Sequence, residues 1–331
     1  MSTNPQTFDL TGKRIAVTGA GGFIGAAICG RLTAAGASVF GLDANPATRD
    51  KVRGCGAEFA VADVTDPVVL ATALTDGIDA AVHTAALVGD WMSMEDAIRV
   101  NVGGTETFLR AARDAGAERC VHLSSVVVYG HDTEGEQDES APLRTIGIPY
   151  VDTKSASDRV ARDLGAIVVR PGDVYGPGSI PWTVRVLKTV QTRGAILPPA
   201  AGWMFPVYVD DLVEAAVSAL ERGRPGQAYT AWSGEKVTFR EYFEAHARMA
   251  GRPGLRRVST RVAGGIAAAM EATARLTGRS PLMTRFATSY LERPGTVSTR
   301  KAREELGWSP QVPLEEGLRR SEKWLRAEGY L

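Results

Sequence analysis

The sequence is short of cysteines, of net charge and of long hydrophobic runs, and each shortage excludes a class of protein. Three cysteines are an odd number, and Cys29 and Cys120 fall in apolar stretches, so we expect reduced thiols rather than a disulfide framework. Lys plus Arg and Asp plus Glu both total 38, so no net field favours nucleic acid or an anionic membrane. The four histidines are scattered and the cysteines lack metal-site spacing, which predicts no bound metal.

Targeting and membrane-spanning patterns are missing as well. Residues 1–10 are polar, with no basic start and no apolar run, which argues against a signal peptide. The most apolar helical stretch, residues 262–276, is too short to span a bilayer and contains Glu271 and Arg275. A buried or lid helix is the favoured interpretation, with a membrane-surface helix as the alternative. We therefore predict a cytoplasmic protein.

Strand and helix patterns alternate through the first half of the 331 residues. The strands are apolar almost throughout, which is typical of a parallel sheet covered on both faces. We predict strands at residues 14–18, 38–42, 80–83, 120–124 and 167–170, and helices at 23–35, 94–115 and 150–164. The fold class is therefore α/β: a Rossmann-type doubly wound parallel sheet over residues 1–175. Residues 176–331 are predicted to form a smaller, mostly helical substrate lobe, interleaved with the first unit and returning a strand or two to its sheet.

A glycine-rich turn follows the first strand and opens the first helix. Gly19 allows a tight turn, Gly22 allows the backbone to approach a pyrophosphate, and Gly25 lets the helix pack closely on the strand. The helix begins at Phe23 and Ile24, and this end of the helix offers backbone N–H groups to phosphate. The spacing G-x-x-G-x-x-G differs from the general G-x-G-x-x-G fingerprint. A glycine-rich turn without a ligand is therefore the alternative.

Acidic residues end the second and third strands. Asp43 lies 18 residues after Gly25, where a carboxylate can bind both ribose hydroxyls of an adenosine. A 2′-phosphate there would meet a like charge, so Asp43 predicts NAD rather than NADP, with the nearby Arg49 as the one counter-indication. Asp63 and Val64 are predicted to bracket the adenine, although an ordinary strand-end aspartate explains Asp63 nearly as well.

Three residues form a candidate catalytic set. Tyr150 and Lys154 are four positions apart on one predicted helix, so they share a face, and Pro149 indicates that the helix starts there. A phenol with a pKa of about 10 is a poor base at neutral pH, and lowering it to neutrality takes roughly 4 kcal/mol. An ammonium and the positive end of a helix would both favour the phenolate. Ser125 would bind the substrate oxygen, and Lys154 would also bind the nicotinamide ribose. An ordinary surface pair on a helix is the alternative.

Taken together, these motifs resemble the extended short-chain dehydrogenase/reductase family, also described as NAD-dependent epimerases and dehydratases. The closest pattern is that of 3β-hydroxysteroid dehydrogenase-like members. The resemblance covers nearly the whole chain and rests on T-G-A-G-G-F-I-G, D-V-T-D, H-T-A-A, N-V-G-G-T, S-S-V-V-V-Y-G, Y-V-D-T-K, R-P-G-D-V-Y-G-P-G, V-Y-V-D-D and K-A-R-E-E-L-G-W.

The resemblance implies a role for each matching position. It implies that Ser125, Tyr150 and Lys154 carry out acid–base chemistry with NAD as cofactor. It also implies that the cofactor is lined by Thr84, Ala85, Ala86, Asn101, Pro171, Gly172 and Val174. The family commonly forms homodimers through the helices that start near residues 94 and 150.

Departures from the family's patterns bear on the reaction. Nucleotide-sugar 4,6-dehydratases carry an Asp-Glu pair where this chain has Val126 and Val127, so dehydration is disfavoured. Sugar-nucleotide epimerases usually have Asn in place of Asp173. They also have an Arg before V-x-V-D-D, where this chain has residues 204–206, Met-Phe-Pro. An added carboxylate and a missing cation both disfavour a diphosphate.

The residues predicted to face the substrate are largely apolar, which suits a bulky hydrophobic small molecule. They are Val88, Trp91, Ser125, Val127, Asp173, Trp182, Trp203 and Phe205. Core packing under loops explains the aromatic ones about equally well. We therefore predict an NAD-dependent dehydrogenase of a bulky apolar secondary alcohol, resembling 3β-hydroxysteroid dehydrogenases. The alternatives are a nucleotide-sugar 4-epimerase that keeps its NAD tightly bound, and a non-enzymatic NAD sensor, which the intact tyrosine and lysine disfavour.

Overall fold

The computed structural model describes residues 7–192, 196–197, 202–252, 256–257 and 259–331. A seven-stranded sheet runs through its centre, in the order β12-β7-β5-β4-β1-β2-β3, and every neighbouring pair is parallel. These strands are β1 (Arg14–Thr18), β2 (Ser38–Asp43), β3 (Glu58–Val61), β4 (Ala80–His83), β5 (Arg119–Leu123), β7 (Ile167–Pro171) and β12 (Ala228–Ala231). The α/β doubly wound prediction is confirmed, as is the return of a strand from the second half.

Shorter strands form two-stranded pairs outside this sheet. They are β6 (Glu136–Gln137), β8 (Asp173–Tyr175), β9 (Ile196–Leu197), β10 (Trp203–Met204), β11 (Pro206–Tyr208), β13 (Val237–Thr238), β14 (Arg256–Arg257) and β15 (Thr296–Val297).

Helices cover both faces of the sheet and build the C-terminal half. They are α1 (Phe23–Ala34), α2 (Arg49–Gly54), α3 (Pro67–Ala73), α4 (Met94–Ala97), α5 (Gly104–Asp114), α6 (Pro149–Asp163), α7 (Arg185–Gln191), α8 (Val209–Arg222), α9 (Phe239–Met249), α10 (Thr260–Thr277), α11 (Arg285–Tyr290), α12 (Arg300–Leu306) and α13 (Leu314–Ala327). Within the described ranges, none of them is long and apolar enough to cross a membrane.

The helix predicted over residues 94–115 is interrupted. Between α4 and α5 the backbone widens into a π-helical segment, Ile98–Gly103. Thr105 donates its hydroxyl to the Asn101 carbonyl oxygen at 2.6 Å, inside this wider turn. Such π-bulges are often found where a side chain must be directed at a functional site. The wider turn directs the Asn101 side chain towards the loop after β4.

The strand order reverses between β1 and β4, which makes the carboxyl ends of these two strands the place where ligands bind in this class of sheet. Thr18 and His83 are the last residues of the two strands and are paired in register. The glycine turn follows Thr18, and the loop of residues 84–93 follows His83. The candidate site is therefore expected at this edge, with β5 and β7 beside it. The division between two domains at residue 175 stays a prediction.

Candidate active site

The glycine turn is shaped by close backbone approaches. Gly19 has a φ of +64°, and a Cβ there would lie 2.9 Å from the Ala85 backbone. At Gly25, a Cβ would lie 2.1 Å from the Gly19 carbonyl oxygen. Gly22 caps α1 and has no side chain to occupy the N–H groups of the first turn. Those groups, in the positive half of the helix dipole, fit the pyrophosphate of a dinucleotide.

Asp43 ends β2 beside this turn, as the sequence predicts. Its carboxylate accepts N–H groups from Gly21 and Asn45, both at 2.9 Å. Arg49 turns away, with its guanidinium 5.3 Å from the centroid of the Phe59 ring. Lys51, which no sequence motif marks, donates its ammonium to the Gly21 carbonyl oxygen at 2.9 Å. The acidic group is thus positioned where a ribose is expected, and the nearest arginine is engaged elsewhere.

Replacing Asp43 with alanine is expected to lower the preference for NAD over NADP by about tenfold, because one charged hydrogen-bond acceptor and one repulsive charge are lost together. The measurement is the ratio of kcat/KM for the two cofactors, with the exposed Asp50→Ala on α2 as the matched control. A wild-type protein that prefers NADP would contradict the role assigned to Asp43.

Asp63 and Val64 follow β3, at the edge of the site predicted for the adenine. Asp63 is exposed, and its carboxylate holds a tight turn by accepting the Thr65 N–H at 2.9 Å. Val64 is buried, and Gly104 leaves room for it, since a Cβ at Gly104 would lie 2.6 Å from Val64 Cγ2. Both residues are therefore fixed in position, while their contact with adenine stays a prediction.

Residues 84–86 lie across the glycine turn, as predicted for a cofactor wall. Thr84 donates its hydroxyl to the Thr18 carbonyl oxygen at 2.7 Å. Asn101 is buried and uses its whole amide: its oxygen accepts the Leu87 N–H at 2.7 Å, and its nitrogen donates to the Leu87 carbonyl oxygen and to the Thr153 hydroxyl. These contacts make Asn101 a residue that holds the loop after β4 against α6. Direct contact between Asn101 and NAD stays a prediction.

The three candidate catalytic residues come together. Ser125 follows β5, and its hydroxyl accepts the Val127 N–H at 3.3 Å and shares a hydrogen bond with the Tyr150 phenol. Tyr150 is the second residue of α6, directly after Pro149, so its predicted place in the first turn is confirmed. Lys154 lies one turn later and is buried, and its ammonium donates to the Leu123 carbonyl oxygen at 2.8 Å.

The electrostatics of Tyr150 differ from the sequence-based expectation, which was a lowered pKa. Burial raises the pKa of the Tyr150 phenol to about 12, the hydrogen bond with Ser125 opposes the rise, and the negative charge of Asp173 adds to it. Burial also lowers the pKa of Lys154 to about 8, against the attraction of Asp158. Lys154 is directed at a backbone carbonyl rather than at the phenol, which is why spacing along the helix alone does not predict the shift.

These two pKa values predict the pH dependence of the reaction. Only the phenolate can take a proton from an alcohol, and its fraction grows as pH rises towards the raised pKa of Tyr150. Initial rates of alcohol oxidation are therefore expected to rise about tenfold per pH unit between about pH 5 and 7, a range below the pKa of Lys154 in which this residue keeps its proton. Carbonyl reduction needs the protonated phenol and should not rise over the same range. A falling rate of oxidation would contradict Tyr150 as the base.

Asp173 is not the uncompensated charge that the sequence leads one to expect. It is 2% exposed and accepts the Tyr290 hydroxyl at 2.9 Å and the Phe205 N–H at 2.8 Å. Arg293, which is also buried, donates to the same carboxylate and packs its guanidinium 3.7 Å from the Phe205 ring centroid. Arg293, 120 positions after Asp173 in the chain, therefore supplies the cation that balances this carboxylate.

Several aromatic residues predicted on the substrate side pack around this ion pair. Phe205 and Met204 are buried, and Phe205 lies 5.2 Å from the Trp232 ring. Trp182 stacks on Phe239 with centroids 5.5 Å apart. Core packing, the alternative interpretation, therefore describes Phe205, Met204 and Trp182 well. Trp203 also belongs here, because its carbonyl oxygen accepts a hydrogen bond from Arg293.

The remaining candidates, Val88 and Val127 for the substrate and Pro171, Gly172 and Val174 for the cofactor, divide between wall and interior. Val127 is buried behind Ser125, and Pro171 is buried at the end of β7. Gly172 has no room for a side chain, since a Cβ would lie 2.1 Å from the Phe205 carbonyl oxygen. Val174 is half-buried, and Val88 is 63% exposed on the loop after β4. Of these, only Val88 presents an open apolar surface.

A cleft of about 930 Å³ opens in front of the start of α6. Ile148 and Pro149, which immediately precede Tyr150, form part of its wall. The other lining residues are Asp90, Trp91, Met92, Ser93, His131, Asp132, Ile146, Gly147, Glu271, Arg275, Thr284, Arg285, Phe286 and Ser289. Trp91 is thus one of the residues that line this cleft, and its contact with substrate stays a prediction. The α10 and α11 residues were missed because nothing local in the sequence connects them to Tyr150. Within the described part of the chain, no group of three or more potential metal ligands is present.

Comparison with known proteins agrees with this geometry. Residues 15–232 match the model of the NAD dependent epimerase/dehydratase family. The chain is 31% identical to a 2-alkyl-3-oxoalkanoate reductase of Stenotrophomonas maltophilia, over 93% of this chain and 98% of that protein. It is 30% identical to a UDP-glucose 4-epimerase of Mycolicibacterium smegmatis, over 95% and 98%. A crystal structure with NAD bound is known for a double mutant of DesIV, a dTDP-glucose 4,6-dehydratase of Streptomyces venezuelae. Its sequence is 28% identical to this chain, and the two structures superpose with a TM-score of 0.75 over 95% of this chain and 97% of that protein.

Proposed function

Because the chain belongs to the NAD-dependent epimerase/dehydratase family and NAD is its cofactor, we propose that it moves a hydride between NAD and a secondary alcohol or ketone on a bulky apolar substrate. The observation that carries this proposal is the cleft whose wall includes Ile148 and Pro149, the two residues that precede Tyr150. Its apolar wall includes Trp91, Met92, Ile148 and Phe286. Wide apolar clefts with a few polar groups suit hydrophobic ligands.

The chemistry assigns one task to each residue of the site. NAD, when bound, accepts the hydride of the alcohol carbon. The Ser125 hydroxyl binds the substrate oxygen and keeps it beside the phenol with which it shares a hydrogen bond. Tyr150 takes the hydroxyl proton during oxidation and returns it during reduction. Lys154 donates its ammonium to the Leu123 carbonyl oxygen, and we assign to it the contact with the ribose.

Two kinds of apolar substrate fit this proposal. The resemblance to 3β-hydroxysteroid dehydrogenases favours a sterol-like ring system. The relative from Stenotrophomonas maltophilia, which is named for reducing 2-alkyl-3-oxoalkanoates, favours an acyclic molecule with alkyl chains beside the carbonyl. In both, a secondary alcohol or ketone is flanked by wide apolar groups, which is what the wall of the cleft accommodates.

The second candidate function is that of a nucleotide-sugar 4-epimerase. It is favoured by the UDP-glucose 4-epimerase relative, which matches this chain over 95% of its length. The buried Arg293 would be its natural diphosphate partner, but that guanidinium is already bound by Asp173 and by the Tyr290 hydroxyl. A diphosphate would have to displace a buried carboxylate from its partner, which is costly.

A substrate panel with purified protein separates the two functions. NADH absorbance is followed with added NAD against 2-alkyl-3-hydroxyalkanoic acids, 3β-hydroxysteroids and UDP-hexoses. Net NADH with either apolar class is the expected result, with KM values well below those of short secondary alcohols. Saturable binding of UDP-hexoses, together with no response to any apolar alcohol, would contradict the proposal.

The homodimer implied by the family resemblance is part of the same proposal. Ile98, at the start of the π-helical segment, is 50% exposed, and Met94 on α4 is 36% exposed. Both lie where the family's four-helix bundle is expected. A molar mass of one chain by light scattering at micromolar concentration would exclude it.

A further inference from the structure

A charged group interrupts the apolar cleft, and the chemistry proposed above does not use it. Glu271 on α10 has its side chain 8% exposed and accepts two hydrogen bonds from Arg285, from the backbone N–H at 2.7 Å and from Nε at 3.0 Å. Arg275, one turn after Glu271, approaches the same carboxylate at 4.0 Å. All three residues line the cleft. One buried carboxylate therefore holds two guanidinium groups at its wall.

Within this group of three side chains, the two guanidinium groups outnumber the one carboxylate. Burial opposes ionisation of Glu271, but the hydrogen bonds from Arg285 and the charges of Arg285 and Arg275 lower its pKa below the ordinary value. Glu271 is thus negative at neutral pH and balances only one of the two arginines. Their side chains remain 65% and 63% exposed, and Arg275 also lies over the Trp91 ring at 5.8 Å.

Two further carboxylates line the cleft, of which Asp132 is paired with a cation and Asp90 is bound by a neutral hydroxyl and keeps its charge. Asp90 accepts the Thr284 hydroxyl, which ties the loop after β4 to the start of α11. Asp132 pairs with Arg144 at 3.4 Å. Burial lowers the pKa of His131, so it is neutral near pH 7. The Nη groups of Arg275 and Arg285 are therefore the donors that this cleft offers to an anion.

We propose that Arg275 and Arg285 form an anion-binding subsite that takes an acidic group on the substrate. This rests on the proposed function, because it assigns the substrate of the same cleft to the class of apolar acids. Glu271 binds Arg285 on its Nε side, which leaves the Nη edge of that guanidinium for a second oxyanion. Arg275 approaches Glu271 through one Nη atom at 4.0 Å and keeps its other nitrogens. Arginine is the side chain best suited to bind a carboxylate in a planar manner. The oxoalkanoate named for the 31% identical relative is such an acid.

The test compares a 2-alkyl-3-hydroxyalkanoic acid with its methyl ester, which lacks the negative charge and carries one additional methyl group. Oxidation by NAD gives the 3-oxo compound, NADH and a proton. The wild-type protein is expected to prefer the acid by about tenfold or more in kcat/KM. Arg275→Gln and Arg285→Gln are each expected to raise KM for the acid about tenfold with kcat little changed, and to leave KM for the ester within about twofold. Arg261→Gln, an exposed arginine on the same helix outside the cleft, is the control and should change neither.

The outcomes separate this subsite from the function on which it rests. The subsite would be overturned if the wild type has equal kcat/KM for acid and ester, or if the arginine variants raise KM equally for both. Either result would leave the proposed function standing. If neither compound is oxidised, the proposed function fails, and the subsite is then tested by titration calorimetry of the acid into the NAD-loaded protein. Binding that weakens in Arg285→Gln but not in Arg261→Gln would support it, and unchanged or undetectable binding would overturn it.

Discussion

Replacing Tyr150 with phenylalanine is expected to lower kcat for alcohol oxidation by about a thousandfold and to leave the Kd for NAD within about twofold. The substitution removes one oxygen atom and keeps the ring on the first turn of α6. Without that oxygen, Ser125 can still bind the substrate oxygen, but no group within hydrogen-bond reach takes its proton. The Ser125 side chain opposes the rise in the pKa of the phenol, so the two hydroxyls are neighbours in the site.

Two further variants make this result specific. Tyr330→Phe, at the C-terminus, removes a hydroxyl in the same way and should leave kcat unchanged. Lys154→Ala should weaken both kcat and NAD affinity, because Lys154 is assigned to proton transfer and to the ribose together. More than about a tenth of wild-type kcat in Tyr150→Phe would contradict the assignment of the base.

Replacing Arg170 with methionine is expected to lower the free energy of unfolding by about 3–5 kcal/mol, because it leaves a buried carboxylate without its partner. Arg170 on β7 and Asp158 on α6 are both 0% exposed and form two hydrogen bonds of 2.9 Å. The same guanidinium donates to the Tyr129 hydroxyl at 3.0 Å, and that hydroxyl bonds Thr230 on β12 at 2.7 Å.

Urea unfolding without cofactor measures this loss. Removing both charges, in Arg170→Met with Asp158→Leu, should recover most of the stability, because no charge is then left buried without a partner. Arg110→Met breaks the exposed pair with Glu106 and should cost less than about 0.5 kcal/mol. A loss below about 1 kcal/mol in Arg170→Met would show that Asp158 finds water or another partner.

The ion pair also joins the segments that carry the chemistry. Asp158 lies one turn beyond Lys154 on α6, and Tyr129 ends the short 3-10 helix that starts after Ser125. Loss of this pair should therefore loosen the placement of all three catalytic residues. We expect the Arg170→Met protein to lose activity at temperatures where it is still folded.

The parts of the site that the sequence predicts are those determined by residues close together in the chain. The turn from Gly19 to Gly25 needs glycines because the backbone passes within contact distance of itself, and that requirement is visible in seven residues. Tyr150 and Lys154 share a helical face because they are four residues apart. Five of the seven strands of the parallel sheet are nearly continuous apolar runs, so their positions follow from composition. No range is predicted for β3, whose ends are exposed, or for β12.

The parts that the sequence does not predict depend on distant residues. Arg293 and Asp173 are 120 positions apart, and only the packing of α11 beside β10 brings them together. The pKa of Tyr150 depends on how deeply the phenol is buried, which no spacing within α6 reports. In the sequence, Glu271 is one charged residue within a predicted apolar helix. Only the fold shows that its carboxylate lies beside Arg285 and Arg275 at the cleft.

The central claim is that a hydride passes from an apolar secondary alcohol to NAD that is then released. It is tested most directly by incubating the protein with excess NAD and a 2-alkyl-3-hydroxyalkanoic acid deuterated at its alcohol carbon, followed by mass spectrometry of the free cofactor. We predict deuterated NADH in amounts far above the amount of protein. The contradicting result has two parts. The free cofactor contains no deuterium, and a deuterated UDP-hexose is inverted at one carbon while it keeps its label. That result would show a hydride that returns to the substrate within a single active site.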